Sequence, residues 1–313
     1  PAFLDAPSPS LPSLERRRNF ASRTCLLMRL LVIGSSGQLG TELMRTFSDC
    51  DVVGLDHAAI EIEDRASVDA AFARVRPAVV INTAAYHNVD QCEQYPDRAF
   101  GVNATAVERL SAASERIGAA FATMSSDYVF AGDLGRPYAE SDEPSPLNVY
   151  GASKRAGELS ALSRSRSYVF RTSGMYGLRT STQKGHMFVD RIIKQAQSGE
   201  MPRVVTDVVY SPSFAVDVAW AIRQVLEREA YGLYHVTNAG HCSWFEYATE
   251  ALRLTNLPTE ITPASYRDFA SSVKRPTYSA LAHESLGRIG ISMPAWQDGL
   301  RRYIASRLAA SVE

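Results

Sequence analysis

The chain has 313 residues, 45% of them hydrophobic and 21% charged, with a formal net charge of −1. That describes an ordinary globular protein of one large domain or a domain and a half, with no basic surplus for a nucleic-acid or anionic-membrane partner. Four scattered cysteines (Cys25, Cys50, Cys92, Cys242) and six histidines without metal-ligand spacing suggest neither a disulfide framework nor a zinc site, so a reducing, cytoplasmic location fits best.

Residues 1–27 are rich in Pro, Ser and Arg and lack the apolar centre of a signal peptide. They are read as a disordered N-terminal extension, with Met28 as the natural start. From Arg29 onward, short β-branched runs alternate with longer amphipathic ones, the pattern of a parallel sheet covered by helices on both faces. Leu30–Ile33, Asp51–Leu55, Ala78–Asn82, Ala120–Met124, Tyr168–Arg171 and Leu233–Val236 read as strands. Thr41–Phe47, Ser67–Val75, Asp97–Ile117, Tyr150–Leu162 and Ser213–Glu229 carry helical patterns. Beyond Gly177 the alternation weakens and prolines punctuate the chain. The expected architecture is an α/β, Rossmann-type doubly wound parallel sheet with a smaller, mixed C-terminal substrate lobe. Residues 28–178 plus 213–238 would form the dinucleotide-binding domain, and 179–212 plus 239–313 the lobe.

The first strand runs directly into Gly34-Ser35-Ser36-Gly37-Gln38-Leu39-Gly40 and then into a helix. Glycines there permit a tight turn and a close backbone approach, aiming helix N-terminal amides at a pyrophosphate. Asp56 stands at the end of the second strand, where a carboxylate accepts hydrogen bonds from the adenosine ribose and repels a 2′-phosphate. The cofactor is therefore NADH or NADPH, with Asp56 leaning toward NADH.

Only four lysines occur against twenty-nine arginines, and Lys154 stands four residues after Tyr150. On a helix the two share a face, and an adjacent ammonium would move a phenol of ordinary pKa about 10 toward working pH. Ser126, at the C-terminal end of a strand, can bond a substrate carbonyl oxygen while Tyr150 supplies a proton and a nicotinamide supplies hydride.

Together these residues resemble the extended short-chain dehydrogenase/reductase superfamily and, within it, the dTDP-4-dehydrorhamnose reductase family. The most specific passages are Gly34 to Gly40, Ile81-Asn82-Thr83-Ala84-Ala85-Tyr86, Ser125 to Phe130, Ser145 to Gly151, Arg171-Thr172-Ser173 and Lys274-Arg275-Pro276. The resemblance implies a reductase of the 4-keto group of an NDP-4-keto-6-deoxyhexose, with Ser126, Tyr150 and Lys154 catalytic and Lys154 also holding the nicotinamide ribose. It further implies dinucleotide contacts from Gly37, Gln38, Leu39, Asp56, Asp64, Arg65, Ala84, Ala85 and Tyr86, and places Asp127 near the sugar.

Three departures fall in the sugar-binding half. Gly174 stands where the family usually has Trp, so a flat apolar wall is expected to be missing. Asp207-Val208-Val209-Tyr210-Ser211-Pro212 replaces a run bearing Gln and Gly, and His186-Met187-Phe188 replaces an asparagine-bearing run. Two other readings are a non-catalytic dinucleotide-binding regulatory subunit and a nucleotide-sugar epimerase. The residues indicate no metal cage, and Mg²⁺ would enter only on a substrate pyrophosphate. The oligomeric state is left open, a homodimer included.

Overall fold

Each strand of a sheet covered on both faces must be apolar on both, and the first five strand segments obey this in turn. The computed structural model of the chain describes residues 29–178, 187–258, 260–269 and 273–310. The extension at 1–27, Met28 and His186 lie outside these residues. In chain order come β1 (Leu30–Ile33), α1 (Gln38–Thr46), β2 (Val52–Leu55), α2 (Arg65–Val75) and β3 (Val79–Asn82). Next are α3 (Val89–Gln94), α4 (Pro96–Phe100), a π-helical turn (Gly101–Thr105), α5 (Ala106–Arg116), β4 (Ala120–Ser126), α6 (Val149–Leu162) and β5 (Ser167–Thr172).

After β5 the chain forms β6 (Met175–Tyr176), α7 (Phe188–Gln197), β7 (Arg203–Val205), β8 (Val209–Tyr210) and β9 (Ser213–Phe214). It returns to the main sheet as α8 (Ala215–Glu227) and β10 (Gly232–His235). It ends with β11 (Cys242–Ser243), α9 (Trp244–Leu254), β12 (Thr262–Ala264), α10 (Glu284–Arg288) and α11 (Trp296–Ala310).

The main sheet has the order β10-β5-β4-β3-β1-β2, and all its pairings are parallel. Alternate residues sort to opposite faces. Leu30, Val32, Ile81 and Phe170 meet Leu39 and Leu43 of α1 and Val218, Ile222 and Val225 of α8. Leu31, Ile33, Val80, Phe121 and Val169 meet Val68 and Phe72 of α2 and Val107 and Leu110 of α5. Each such side chain contributes about 1.5–3 kcal/mol on full burial, so the two faces dominate the stability of this half. The strand order reverses at β1, which opens a crevice at the C-terminal ends of β1 and β3. Three two-stranded pairs, β6·β9, β7·β12 and β8·β11, stand apart from the sheet. A second core of Tyr176, Tyr210, Phe214, Tyr247, Trp296 and Tyr303 packs there, forming the smaller mixed lobe.

The single helix expected over Asp97–Ile117 is interrupted by the π turn. An extra residue in one turn rotates the helical residues after it, and Asn103 within the turn is 1% exposed, with its side chain bonded to the backbone of Tyr86. Such turns concentrate at functional sites. Cys92 and Cys242 are free and buried, and Cys25 lies outside the described residues. Among the described residues no helix is long and apolar enough to cross a membrane.

Beneath β5 lies a buried ionic knot. Arg171 and Glu158, each 1% exposed, bond in bidentate fashion at 2.6 and 2.7 Å. The Arg171 guanidinium lies 4.9 Å over the Phe130 ring and 3.3 Å from Nε2 of His235, whose Nδ1 faces the Ala282 carbonyl at 3.0 Å. Burial and the Arg171 charge pull His235 down to about 3, and burial pulls His283 down to about 4. Both rings stay neutral in the fold, whereas unfolded histidines bind protons below about pH 6.5. The unfolded state therefore gains protons first, and stability is expected to fall as pH drops from about 6.5 toward these depressed values. Thermal midpoints measured between pH 7 and pH 5 check this, and a His235→Gln, His283→Gln double variant should show a flatter profile over that window.

Candidate active site

Gly34 ends β1 at φ +79°, and a Cβ on it would lie 2.6 Å from Oγ1 of Thr83. That hydroxyl faces the carbonyls of Ile33 and Gly34 at 2.9 and 3.1 Å, joining the ends of β1 and β3. A Cβ on Gly40 would lie 2.1 Å from the Gly34 carbonyl oxygen, so only glycine lets α1 start this close to the strand. The cap residue Gly37 offers no side-chain bond, and the first turn of α1 carries no acid. The amides of Gln38, Leu39 and Gly40 thus face outward with the positive end of the helix dipole, a cradle that fits a dinucleotide pyrophosphate.

Asp56 follows β2, and its Oδ1 accepts from the Ala58 amide at 3.1 Å. Ala84, Ala85 and Tyr86 follow β3 at the same end of the sheet. The Asp64 carboxylate caps α2, accepting from the amides of Ala66 and Ser67, and Arg65 pairs with Asp69 at 3.6 Å. The residue types match the family's motif, but here their polar atoms serve the helix start.

Tyr150 is the second residue of α6. The cap residue Asn148 accepts from the Gly151 amide at 2.9 Å and donates to the Lys274 carbonyl at 2.9 Å. A Cβ on Gly151 would meet the Tyr128 carbonyl oxygen at 2.1 Å, so glycine lets the helix start press onto the segment that carries Ser126. The Tyr150 ring stands edge-on to Tyr128 at 5.7 Å and packs against Tyr86 and Cys92. Ser126, the last residue of β4, lies beside the Tyr150 phenol and pulls its pKa down against burial. Lys154, one turn along α6, is 4% exposed. Ser126, Tyr150 and Lys154 therefore converge at the C-terminal edge of the sheet.

Their electrostatics differ from expectation. Burial raises the Tyr150 phenol above its ordinary range; Ser126 opposes this, and Asp127 and Cys92 reinforce it. Burial also pulls the Lys154 ammonium down to about 8, against the pull of Glu158 and Cys92. Against the acidified phenol expected from the Tyr-Lys spacing, desolvation of the two polar groups works the other way, since it disfavours the charged form of each.

Motif reading did not reach Asn103. Its Oδ1 accepts from the Tyr86 amide at 2.9 Å, while its Nδ2 donates to the Tyr86 carbonyl at 2.8 Å and to Oγ of Ser153 at 3.0 Å. One amide thereby clamps the segment after β3 to the helix bearing Tyr150 and Lys154. A Cβ on Gly157 would lie 2.2 Å from the Asn103 carbonyl oxygen, so glycine is what admits this contact. The signal in the sequence was a single polar residue inside a helical pattern, which is too common to stand out.

Asp127 is turned away from the cleft. Its Oδ1 accepts from Ser126 Oγ at 2.9 Å, and its Oδ2 accepts from Ser173 and Ser279 at 2.7 and 2.6 Å. Burial raises its carboxyl, and the three hydroxyls oppose the rise. Gly174 sits at φ +47°, and a Cβ there would lie 2.1 Å from Cε2 of Tyr210. The Tyr210 ring, supplied from β8 and stacked on Trp244 at 4.0 Å, occupies the space beside Gly174. Among the described residues no group of three or more His, Cys, Asp or Glu could hold a metal ion.

Comparison with known proteins agrees with this geometry. The family model for the RmlD substrate binding domain matches residues 28–308. The chain is 36% identical over 287 residues to the spore coat polysaccharide biosynthesis protein SpsK of Bacillus subtilis, covering 91% of this chain and 99% of that protein. It is 35% identical over 263 residues to dTDP-4-dehydrorhamnose reductase of Streptomyces griseus, covering 81% and 85% of the two. The crystal structure of dTDP-4-dehydrorhamnose reductase from Bacillus anthracis in complex with NADP superposes with a TM-score of 0.84 at 34% identity, over 89% of this chain and 99% of that one. With the glycine cradle, the parallel sheet and the Ser-Tyr-Lys cluster in place, the chain belongs to the dTDP-4-dehydrorhamnose reductase family and is an NAD(P)H-dependent oxidoreductase.

Proposed function

We propose that the enzyme reduces the 4-keto group of an NDP-4-keto-6-deoxyhexose. The observation that carries this reading is the convergence of Ser126, Tyr150 and Lys154 beside a basic cavity. A cavity of about 320 Å³ lined by Leu147, Tyr266, Val273, Lys274 and Arg275 adjoins Tyr128, and two cations there suit the diphosphate of a nucleotide sugar.

A nicotinamide bound at the Gly34–Gly40 cradle supplies the hydride. Tyr150 would pass its phenolic proton to the ketone oxygen, Ser126 would turn its one proton from Asp127 Oδ1 toward that oxygen, and Lys154 Nζ would hold the ribose hydroxyls and stand near the phenolate left behind. A phenol raised by burial keeps its proton until the substrate arrives. Asp56 favours NADH through its repulsion of a 2′-phosphate. The changes at Gly174, Val208 and Tyr210 favour a 4-keto sugar other than the rhamnose precursor, since a pocket that gains a ring and loses an amide sorts hydroxylated substrates differently.

Tyr150→Phe should lower kcat by about 10²–10⁴ on a panel of dTDP- and GDP-4-keto sugars. The assay is net oxidation of added NADH or NADPH, which also separates reduction from epimerisation; unchanged turnover would remove the mechanism. The Lys154 ammonium, at about 8, loses its charge as pH rises through that value. The KM for the cofactor should therefore climb above about pH 8, a dependence that Lys154→Met abolishes while raising KM throughout. Gly174→Trp should overpack against Tyr210 at a cost of about 1–3 kcal/mol in melting experiments. Tyr210→Gly in the same chain should recover most of that loss and shift the preferred sugar; simple addition of the two losses would show that the ring and the glycine are independent.

A further inference from the structure

Three segments that border the site are tied to one another in a closed loop of hydrogen bonds. Glu93 on α3 accepts from the Val149 amide at 3.0 Å. Val149 is the first residue of α6 and directly precedes Tyr150. Asn148, the cap of that helix, donates to the Lys274 carbonyl at 2.9 Å. Arg275, the next residue, closes the loop by pairing with Asp90 of α3 at 2.7 Å. Bonds therefore run from α3 to α6, from α6 to the basic segment, and from the basic segment back to α3.

Spacing along one short helix makes this loop possible. Asp90 and Glu93 stand three residues apart, so they share a face of α3 and can reach two neighbouring segments. The residues between them hold α3 to the segment after β3: Gln91 accepts from the Tyr86 hydroxyl at 3.2 Å, and Cys92 Sγ donates to the Tyr86 carbonyl at 3.4 Å. The Asp90 side chain is 59% exposed, and an exposed ion pair contributes little net stability. As the third side of a triangle it contributes geometry instead, because two sides leave a hinge and three do not.

We propose that α3 is a brace that registers the proton donor against the cations of the basic cavity, with Asp90 and Glu93 as its positioning residues. Lys274 and Arg275 line that cavity, and Tyr150 stands on the first turn of α6. The chemistry calls for such a register. A sugar nucleotide held by its diphosphate carries its ketone at a distance fixed by the sugar ring, so the phenol has to stand at the matching distance from the cations. Both acids act through a neighbour, Glu93 through the helix start and Asp90 through Arg275. The proposal rests on the reductase reading for its kinetic arm, whereas its exchange arm needs no substrate.

The test compares the unmodified enzyme with Asp90→Asn, Glu93→Ala, Glu93→Gln and the Asp90→Asn, Glu93→Ala double variant. In the kinetic arm, oxidation of NADH or NADPH is followed on the panel of 4-keto sugars. Asp90→Asn and Glu93→Ala should each lower kcat about three- to thirtyfold, the effect of a modest misplacement of reacting groups, and leave the KM for the cofactor unchanged. Glu93→Gln keeps an oxygen for the Val149 amide and should retain most of the rate. The double variant should lose clearly less than the product of the two single losses, because a triangle opened at one side is already loose. Losses that simply multiply, or an unchanged kcat in both single variants, overturn the proposal.

In the exchange arm, hydrogen–deuterium exchange of the unliganded protein is read at the first turn of α6. Glu93 and Asn148 hold the amides of Val149 and Gly151 there, while Asp90 bonds Arg275 on another segment. Asp90→Asn should nonetheless speed exchange at both amides, because opening the far side of the loop frees the helix start to move. Unchanged exchange at that turn overturns the proposal even if no sugar is ever turned over. Absence of turnover in the unmodified enzyme, with faster exchange in Asp90→Asn, counts against the reductase reading and for the brace.

Discussion

The bidentate bond between Glu158 and Arg171 sets the rotation of helix α6 against the sheet, and the site depends on that rotation. Tyr150, Lys154 and Glu158 stand four residues apart along one stripe of the helix. The third member is pinned to β5 at 2.6 and 2.7 Å, which fixes the face on which the first two lie. A buried ion pair of this kind is a weak source of net stability, because desolvation offsets most of the Coulomb attraction. Its consequence is directional: a fork of two nitrogens on two oxygens admits one orientation, where an apolar contact of equal size would admit several.

Dryness explains the rest of the electrostatics. Each charged form in the cluster is disfavoured by its own burial, which raises Tyr150 and Asp127 and lowers Lys154 and His235. Hydrogen bonds and neighbouring charges oppose these shifts only in part. A site arranged this way holds its protons on the phenol until a substrate and a cofactor change the surroundings, which suits a donor better than an acid ionised in advance. The tendency of a Tyr-Lys pair to acidify the phenol is real in water-like surroundings, and here it is outweighed.

Polar contacts join the two halves of the chain, some of them beside the catalytic groups. Asn148 reaches Lys274, Asp127 reaches Ser279, and Arg275 pairs with Asp90, while Arg302 pairs with Asp217 farther off. The C-terminal segment that brings Lys274 and Arg275 to the cavity is thereby tied to the start of α6 and the end of β4. Meanwhile the Tyr210 ring packs from β8 into the space that Gly174 leaves open.

Periodicity and punctuation were enough to read the six strands of the main sheet, their helices and the glycine turn, since these arise from local rules: alternating burial, helix spacing and the freedom of glycine to approach a backbone. Ser126, Tyr150 and Lys154 stood out for a related reason, because two of them sit one helical turn apart. Asn103, the serine-ringed Asp127 and the Gly174–Tyr210 exchange were not legible. Each joins residues 17 to more than 150 positions apart, and a contact between distant segments leaves no period in either one. The protonation of the site belongs with them: spacing places a lysine beside a tyrosine, but how much water both lose is settled by everything packed around them.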